Sequence, residues 1–104
     1  MDFRSLCILE TETIRVALER LNRTAQKILF IVDAGGRLLA ALTDGDVRRH
    51  LLAGGTLEDA VSASGNHHPI IAHGREEALR LLAQRSCIAV PVVDEGGWLV
   101  DVVM

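Results

Sequence analysis

The sequence predicts an α/β fold in which one strand–helix–strand–strand–helix unit occurs twice. Short β-prone apolar runs alternate with segments whose apolar residues recur at helical spacing. Two similar turns, Asp33-Ala34-Gly35-Gly36 and Asp94-Glu95-Gly96-Gly97, each join a pair of such runs. The turns lie 61 residues apart, and the same shift brings Leu38 onto Leu99 without a gap. An internal period of this kind indicates a duplicated structural unit.

Composition restricts the kinds of function open to the chain. Its 104 residues fit one domain, or two very small halves that share a core, and 49% of them are apolar. The net charge of −3 is scattered, and one Trp, two Phe and no Tyr are too few for a base-stacking platform, so we expect no nucleic acid partner. Cys7 and Cys87 are expected to be small buried residues in a reducing compartment. No apolar run reaches membrane-spanning length and no signal-like start is present, so the sequence predicts a cytoplasmic protein without a membrane partner.

The first repeat is predicted over residues 1–61. Its strands are expected in three short apolar runs, at 6–9, 28–32 and 38–42. A helix is expected to begin at Thr11-Glu12-Thr13, and its apolar face has i, i+3, i+4, i+7 spacing: Ile14, Ala17, Leu18 and Leu21. A second helix is expected from about Asp44 to Ala53, where Gly54-Gly55 would stop it, and residues 56–61 have the pattern of one short capped helix.

The second repeat is predicted over residues 62–104 and begins with a polar linker over 62–68. We expect a short strand at 69–71, a helix over 75–84, and strands at 88–93 and 98–104. This order repeats that of the first unit except that the last helix is missing, and Met104 occupies the place of Thr43. We therefore expect a fragment of a longer chain, or a module whose final helix is supplied differently.

One stretch of the sequence indicates a ligand site. An apolar strand ends at Thr43, and a helical pattern begins a few residues later, from Val47 onward. Amides in the first turn of a helix lack partners and carry positive dipole charge, so such a junction suits an anion. Thr43 and Asp46 also have the spacing of a capping box, in which each side chain satisfies a backbone amide and no ligand is needed. Spacing alone leaves both interpretations open.

Other reactive residue types give weaker indications. His67, His68 and His73 could suggest a metal, but adjacent loop histidines cannot readily face one ion, and no carboxylate or thiolate joins them at ligand spacing. We therefore expect no metal site. Asp44 and Asp46 lie close together without a nucleophile or a histidine partner, so we also expect no catalytic residues.

The duplicated β-α-β-β-α order, the Val-Asp-x-x-Gly hairpin and a strand that ends in Thr-x-x-Asp together resemble a tandem CBS-domain pair, or Bateman module. Residues 42–54, LTDGDVRRHLLAG, are similar to a phrase in CBS pairs attached to sugar-phosphate nucleotidyltransferases, and a similar phrase occurs in those attached to sugar-phosphate isomerases. The resemblance covers nearly the whole chain and is stronger in the first repeat. It implies two repeats whose sheets pack about a pseudo-twofold axis, with clefts between them.

The resemblance also implies a ligand, since CBS clefts often bind AMP, ADP, ATP or S-adenosylmethionine. Asp46 would hydrogen-bond the ribose hydroxyls, and Thr43 would face the ribose or a phosphate. Main chain from Leu9 to Thr11 and residues Leu29 to Ile31 would flank the base. Arg48 or Arg49 would neutralise a phosphate, although a double arginine is more often a solvated helix turn.

Three residues depart from the family pattern. Ala40 stands where the family usually has glycine, and its methyl group would narrow the approach of a ligand to the backbone. In the second repeat Asp101 and Met104 stand at the glycine and threonine places, so we do not expect a nucleotide there.

The sequence therefore predicts a non-catalytic regulatory module that binds an adenine nucleotide and controls an attached enzyme. A sugar-phosphate nucleotidyltransferase is the first candidate for that enzyme, and a sugar-phosphate isomerase is the second. The alternative is a ligand-free structural CBS pair whose role is homodimerisation through helix residues such as Val47, Leu51 and Leu52. A homodimer is expected under both hypotheses.

Overall fold

The computed structural model describes residues 3–24, 27–85 and 87–104 and arranges their strands in two sheets. In chain order the elements are a 3₁₀ helix (Phe3–Leu6), β1 (Cys7–Leu9), α1 (Ile14–Arg23), β2 (Ile28–Val32), β3 (Leu38–Thr43), α2 (Asp44–Leu52), a 3₁₀ helix (Val61–Ala63), α3 (Arg75–Arg85), β4 (Val90–Val93) and β5 (Leu99–Val103). The first sheet has the order β1-β2-β3, with β1 parallel and β3 antiparallel to β2. The second sheet pairs β4 and β5 antiparallel. The predicted α/β class is confirmed.

The side chains of strand β2 contribute to both faces of the first sheet. All five of its residues are buried, and successive side chains point to opposite faces. Leu29 and Ile31 belong to a core that also contains the buried residues of α1 and α2. Ile28 and Phe30 belong to a different core, which includes Ala89 from the second repeat. This second core holds the two halves of the molecule together.

The two hairpin turns have the same hydrogen bonds. The Asp33 carboxylate accepts from the amides of Gly35 and Arg37 at 2.9 and 3.0 Å. The Asp94 carboxylate accepts from the equivalent amides at the same two distances. In each repeat the strand pairing also shifts register just after the turn. The internal repeat seen in the sequence is therefore a repeat of structure.

Residues 56–61 do not form the predicted short helix. The Asp59 carboxylate accepts from the Thr56 amide at 2.8 Å, as a helix start requires, but the turn does not continue. Instead the Asp59 carbonyl accepts from the Ile14 amide, and the Val61 amide donates to the Glu12 carbonyl. These bonds to the start of α1 use the backbone groups that a helix would need.

Five of the six predicted strands differ from the structure, two of them, at 38–42 and 98–104, by only one residue at one end or at both. Leu6 lies in the first 3₁₀ helix, so β1 begins one residue later, at Cys7. Residues 69–71 form no strand, and only Ala72 makes an isolated parallel bridge, to Val92. The strand expected from Ile88 begins at Val90.

The predicted linker over 62–68 is attached to the first repeat. The Ser64 hydroxyl donates to the Asp46 carbonyl at 3.2 Å. Asn66 and Ala41 exchange two backbone hydrogen bonds, of 2.7 and 2.9 Å. Gly65 permits this approach, because its φ of +91° favours glycine and a Cβ atom there would lie 2.9 Å from the Ala41 carbonyl oxygen. The segment therefore forms part of the framework.

Two expectations from composition can be compared with the structure. Cys7 and Cys87 are both only partly buried, so the expectation that they are buried is wrong. Within 3–24, 27–85 and 87–104, no helix is both long enough and apolar enough to cross a bilayer.

Candidate functional site

A cleft of about 320 Å³ opens between the two repeats. One wall comes from β2, β3 and the start of α2, and the other comes from segments 66–70 and 87–91. The residues that line it are Ile28, Phe30, Ala41, Thr43, Asp46, Asn66, Pro69, Ile70, Cys87, Ile88, Ala89 and Pro91. Its volume lies at the lower end of the range of about 300–1,000 Å³ that is usual for small-molecule sites. A small ligand in this cleft would contact both repeats.

The walls of the cleft are mainly apolar. Ile70 and Ile88 line it with 37% and 55% of their surface exposed. Phe30 and Pro91 lie on opposite walls. Both isoleucines belong to the wall formed by segments 66–70 and 87–91, and their uncovered apolar surface favours a flat, weakly polar group such as a nucleobase over a free sugar.

Thr43 and Asp46 form the polar end of the cleft and also cap α2. The Thr43 amide and hydroxyl donate to Asp46 Oδ2 at 2.9 and 3.0 Å. The Asp46 amide donates to Thr43 Oγ1 at 3.3 Å. Both partners of the capping box are therefore present, as the spacing predicted. The two residues also line the cleft, so both interpretations of the motif have a structural basis.

The second carboxylate oxygen of Asp46 contacts an arginine. Asp46 Oδ1 accepts from Arg49 Nη2 at 2.6 Å, and the two residues lie one helical turn apart. Asp46 carries the single charge among the described residues that line the cleft. Arg49 is therefore the cation that lies directly beside this charge, although Arg48 and Arg49 are both exposed and outside the lining set.

The predicted site residues fall into two groups. Thr43 and Asp46 lie together at one end of the cleft. Leu29 is fully buried in the core shared with α1 and α2, Thr11 is exposed, and neither lines the cleft. Arg48 also does not line the cleft, so three of the five predicted site residues lie outside it.

Two of the departures from the family pattern, Ala40 and Asp101, lie on the helix side of the sheets. Ala40 is fully buried on the face that carries α1 and α2, and its neighbour Ala41 lines the cleft instead. Asp101 pairs with Val92 in β5, and its carboxylate lies 3.9 Å from Arg75 at the start of α3. The Ala40 methyl group and the Asp101 carboxylate therefore do not line the cleft between the repeats.

Sequence reasoning missed the second wall of the cleft, which comprises Asn66, Pro69, Ile70 and residues 87–91. A signal for part of it was present, because the shift of 61 residues places Ala89 on Ile28 and Pro91 on Phe30. Residues that are 61 positions apart lie on the same side of equivalent strands. When the two repeats face each other, residues from both strands therefore line the same cleft. Asn66 and Ile70 lie in irregular chain and had no such signal.

Two further features bear on the choice of site. A second cavity of about 340 Å³ lies beside the hairpins, lined by Phe3, Arg4, Cys7, Val32, Gly35, Gly36, Trp98 and Leu99, and it contains none of the predicted site residues. Within the described residues, no group of three or more His, Cys, Asp or Glu side chains could hold a metal ion.

A duplicated α/β unit with a ligand-sized cleft between its copies is the architecture of a paired binding module. The CBS domain family matches residues 1–53, about half of the chain. The chain therefore belongs to the CBS domain family, whose domains are regulatory modules, and the predicted resemblance is confirmed at this level.

Curated relatives connect the chain to an enzyme of sugar phosphates. It is 35% identical over 86 residues to arabinose 5-phosphate isomerase GutQ of Salmonella typhi, an alignment that covers 80% of this chain and 27% of the relative. The Escherichia coli K12 protein of the same name is 32% identical over 92 residues, with 86% and 29% covered. The chain thus spans less than a third of the length of these relatives. Their names do not support a nucleotidyltransferase as the first candidate host, so the order of the two candidates is corrected.

Solved structures confirm the CBS-pair fold. The CBS domains of a transcriptional regulator from Streptococcus pneumoniae align with a TM-score of 0.78 and 13% identity, covering 100% of this chain and 87% of that one. The cytosolic domain of the magnesium channel MgtE, solved in complex with ATP, aligns with a TM-score of 0.73 and 26% identity, covering 95% and 41%.

Proposed function

We propose that the chain is the regulatory CBS module of a cytoplasmic sugar-phosphate isomerase and binds an adenine nucleotide in the cleft between its repeats, 1–61 and 62–104. The observation that carries this proposal is the composition of the cleft, whose two walls come from different repeats and whose polar end is Thr43 and Asp46. A ligand that touches both repeats favours one relative arrangement of them. It would thereby shift the population of states of the attached enzyme.

The chemistry of the cleft suits a nucleoside. The base would lie between the apolar walls and cover the exposed surface of Ile70 and Ile88. The ribose hydroxyls would donate to the Asp46 carboxylate, which accepts hydrogen bonds only. Leu29, Thr11 and Arg48 were expected to contact the ligand, but their positions outside the cleft give no support to direct contact.

Two kinds of similar protein support the proposal. The MgtE domain is a CBS structure that holds ATP, and its similarity to this chain extends over almost all of the chain. The GutQ relatives are isomerases of a sugar phosphate and are several times longer than the matched region. A regulatory module joined to a catalytic domain would account for both similarities.

Thermal unfolding with and without AMP, ADP, ATP and S-adenosylmethionine tests the proposal. A ligand present at a hundred times its dissociation constant stabilises the folded state by about 2.7 kcal/mol. In a domain of this size that corresponds to a rise in Tm on the order of 10 °C. The variant Asp46→Asn is expected to lose most of the rise. Asp44→Asn, which removes a charge from the same helical turn but outside the cleft walls, is the matched control. The absence of a rise with all four ligands would contradict the proposal.

A structural role in homodimerisation is the second candidate. It is favoured by the capping box, because Thr43 and Asp46 satisfy each other without a ligand. It is also favoured by Leu52, which lies at the end of α2 with 80% of its surface exposed. Under this hypothesis, no adenine ligand raises Tm, and Leu52→Lys converts a dimer to a monomer in sedimentation equilibrium. Leu52→Met, which preserves the apolar surface, should leave the dimer intact.

A further inference from the structure

The second cavity, which we call the hairpin cavity, has a chemistry different from that of the cleft between the repeats. At about 340 Å³ it is similar in size, and its walls also come from both repeats, because Trp98 and Leu99 close a space that residues of the first repeat otherwise line. Phe3 and Trp98, two of the three aromatic residues of the chain, lie in its walls. Arg4 carries the single charge among the described residues that line it. The cleft between the repeats has the opposite charge, from Asp46.

The indole ring of Trp98 forms a wall that is already held in place. A Cβ atom at Gly35 would lie 3.0 Å from the ring carbon Cη2, and one at Gly36 would lie 3.5 Å from Cε3. The six-membered part of the ring therefore lies against a turn that has no side chains at these positions. The Arg37 guanidinium contacts the same ring, and the Trp98 amide donates to the Asp94 carboxylate at 3.0 Å. A ligand that binds against a fixed wall does not have to order it.

The charges around the hairpin cavity favour an anion. The carboxylates of the two adjoining turns, Asp33 and Asp94, accept from backbone amides of their own turns and do not line the cavity. The charge in the lining set is thus the guanidinium of Arg4, whose planar fork matches the two oxygens of a carboxylate. A polyphosphate would bring several negative charges to one cation and mainly apolar walls, and charges without partners are costly to bury. The cavity therefore suits a single negative charge.

We propose that the hairpin cavity is a second ligand site, for an aromatic carboxylate of one or two rings. The rings would lie against Phe3 and the indole of Trp98, and the carboxylate would accept from the Arg4 guanidinium. The volume lies near the lower end of the usual range for ligand sites, which limits the ligand to this size. Because the ligand would contact both repeats, it would favour one relative arrangement of them.

One cysteine lies in the wall of each cavity, so the occupant of each can be located separately. Cys7 lines the hairpin cavity, and Cys87 lines the cleft between the repeats. Both residues are partly buried. A ligand that fills one cavity should slow alkylation of the cysteine in its wall and leave the rate at the other cysteine unchanged.

Calorimetric titration of the full chain with 2-naphthoate tests the proposal. The matched control ligand is 2-naphthamide, which has the same rings without the charge. Wild type should bind 2-naphthoate at least about tenfold more tightly than 2-naphthamide, the size of one charge-assisted hydrogen bond. Arg4→Gln should remove most of this difference and leave the affinity for the amide unchanged. Arg80→Gln removes the same charge from an exposed position on α3, outside the cavity, and should preserve the difference.

Alkylation with iodoacetamide, followed by peptide mass spectrometry, shows where the carboxylate binds. In wild type, 2-naphthoate is expected to slow the reaction of Cys7 and not that of Cys87. Failure of 2-naphthoate to bind, or protection of Cys87 in place of Cys7, would overturn the proposal. An equal effect of Arg4→Gln and Arg80→Gln would also overturn it, because the effect would then come from net charge.

The same experiment separates this proposal from the proposed function. An adenine nucleotide in the cleft between the repeats should slow alkylation of Cys87 and not that of Cys7. If no nucleotide binds, the proposed function fails, while binding of 2-naphthoate with protection of Cys7 still supports a site in the hairpin cavity.

Discussion

Arg37 and Trp98 occupy the same position in the two repeats and face each other where the hairpins meet. They form an antiparallel bridge, and the Arg37 guanidinium carbon lies 5.6 Å from the centre of the indole ring. On either side of them two reciprocal backbone bonds of 3.0 Å form, from Leu38 to the Gly97 carbonyl and from Leu99 to the Gly36 carbonyl. Reciprocal bonds between equivalent residues are what a twofold relation produces. The axis between the repeats therefore passes close to this pair.

Removal of the indole ring should loosen this junction. A Cβ on Gly35 would lie 3.0 Å from the Trp98 ring, which shows how closely the ring covers the turn of the other repeat. Because Trp98 is 39% exposed, Trp98→Ala should cost about 1–3 kcal/mol, less than the usual 3–5 for a buried tryptophan. Arg37→Ala removes the cation–π contact and a weak attraction to the exposed Asp33 carboxylate, and it should cost about 1 kcal/mol or less. Urea unfolding measures both losses, and equal losses would contradict the packing argument.

The crossing of the 62–68 segment over β3 depends on Gly65. Gly65→Ala should be strongly destabilising for two reasons. Alanine would be strained at the positive φ of this position, and its methyl group would lie 2.9 Å from the Ala41 carbonyl oxygen. Gly54→Ala is the matched control, because its φ is +101° but a Cβ there would meet nothing within 4 Å.

Backbone strain alone should lower the free energy of unfolding of Gly54→Ala by about 1–2 kcal/mol. The free energy of unfolding of Gly65→Ala should fall by clearly more. The comparison is made by urea unfolding of the two variants. Similar losses would show that the Ala41–Asn66 bridge can move aside without cost.

The sequence predicted the elements well wherever local signals agreed with tertiary contacts. The Thr13 cap, the apolar face of α1 and the two Asp-x-Gly-Gly turns all depend on interactions within a few residues, and all are present. At Thr56 a local start signal is also present, but bonds from Asp59 and Val61 to the start of α1 override it. Those bonds join residues more than 40 positions apart, which no local pattern reveals.

The site was only half predictable for a different reason. The run Ile28-Leu29-Phe30-Ile31-Val32 is apolar throughout, so no alternation indicates which residues face the helices and which face the other repeat. Knowledge of the strand's position between two cores is needed to separate Phe30 from Leu29. Thr43 and Asp46, by contrast, are fixed by the strand–helix junction itself.

Asp59 should make stability depend on pH. Hydrogen bonds from the Thr56 amide, from His50 and from the Thr56 hydroxyl hold the pKa of Asp59 below its ordinary value. A carboxylate with a lowered pKa contributes stability that is fully present above its unfolded pKa of about 3.9 and is lost as pH falls through the folded pKa. Asp59→Asn should therefore be less stable than wild type at pH 7, and the difference should shrink below about pH 4.

Urea unfolding of wild type and Asp59→Asn between neutral and acid pH measures this difference. The pKa of Asp33 is also lowered, mainly by the Arg37 amide, but Asp33 is unchanged in both proteins and cancels in the comparison. Glu95→Gln, which removes a charge from an exposed turn, is the control. A difference between Asp59→Asn and wild type that stays constant down to acid pH would contradict this prediction.

The apolar wall of the cleft should matter for binding more than for folding. Ile88 lines the cleft and is 55% exposed in the free protein, so Ile88→Ser removes surface that a bound base would cover. At about 25 cal/mol per Å² of apolar surface, the lost contact should weaken ATP binding roughly five- to tenfold. Leu52→Ser makes the same kind of change at a site 80% exposed and outside the cleft, and it should leave ATP affinity unchanged. Titration calorimetry measures both affinities; an equal effect of the two variants would mean that ATP binds elsewhere than between Ile88 and the facing wall.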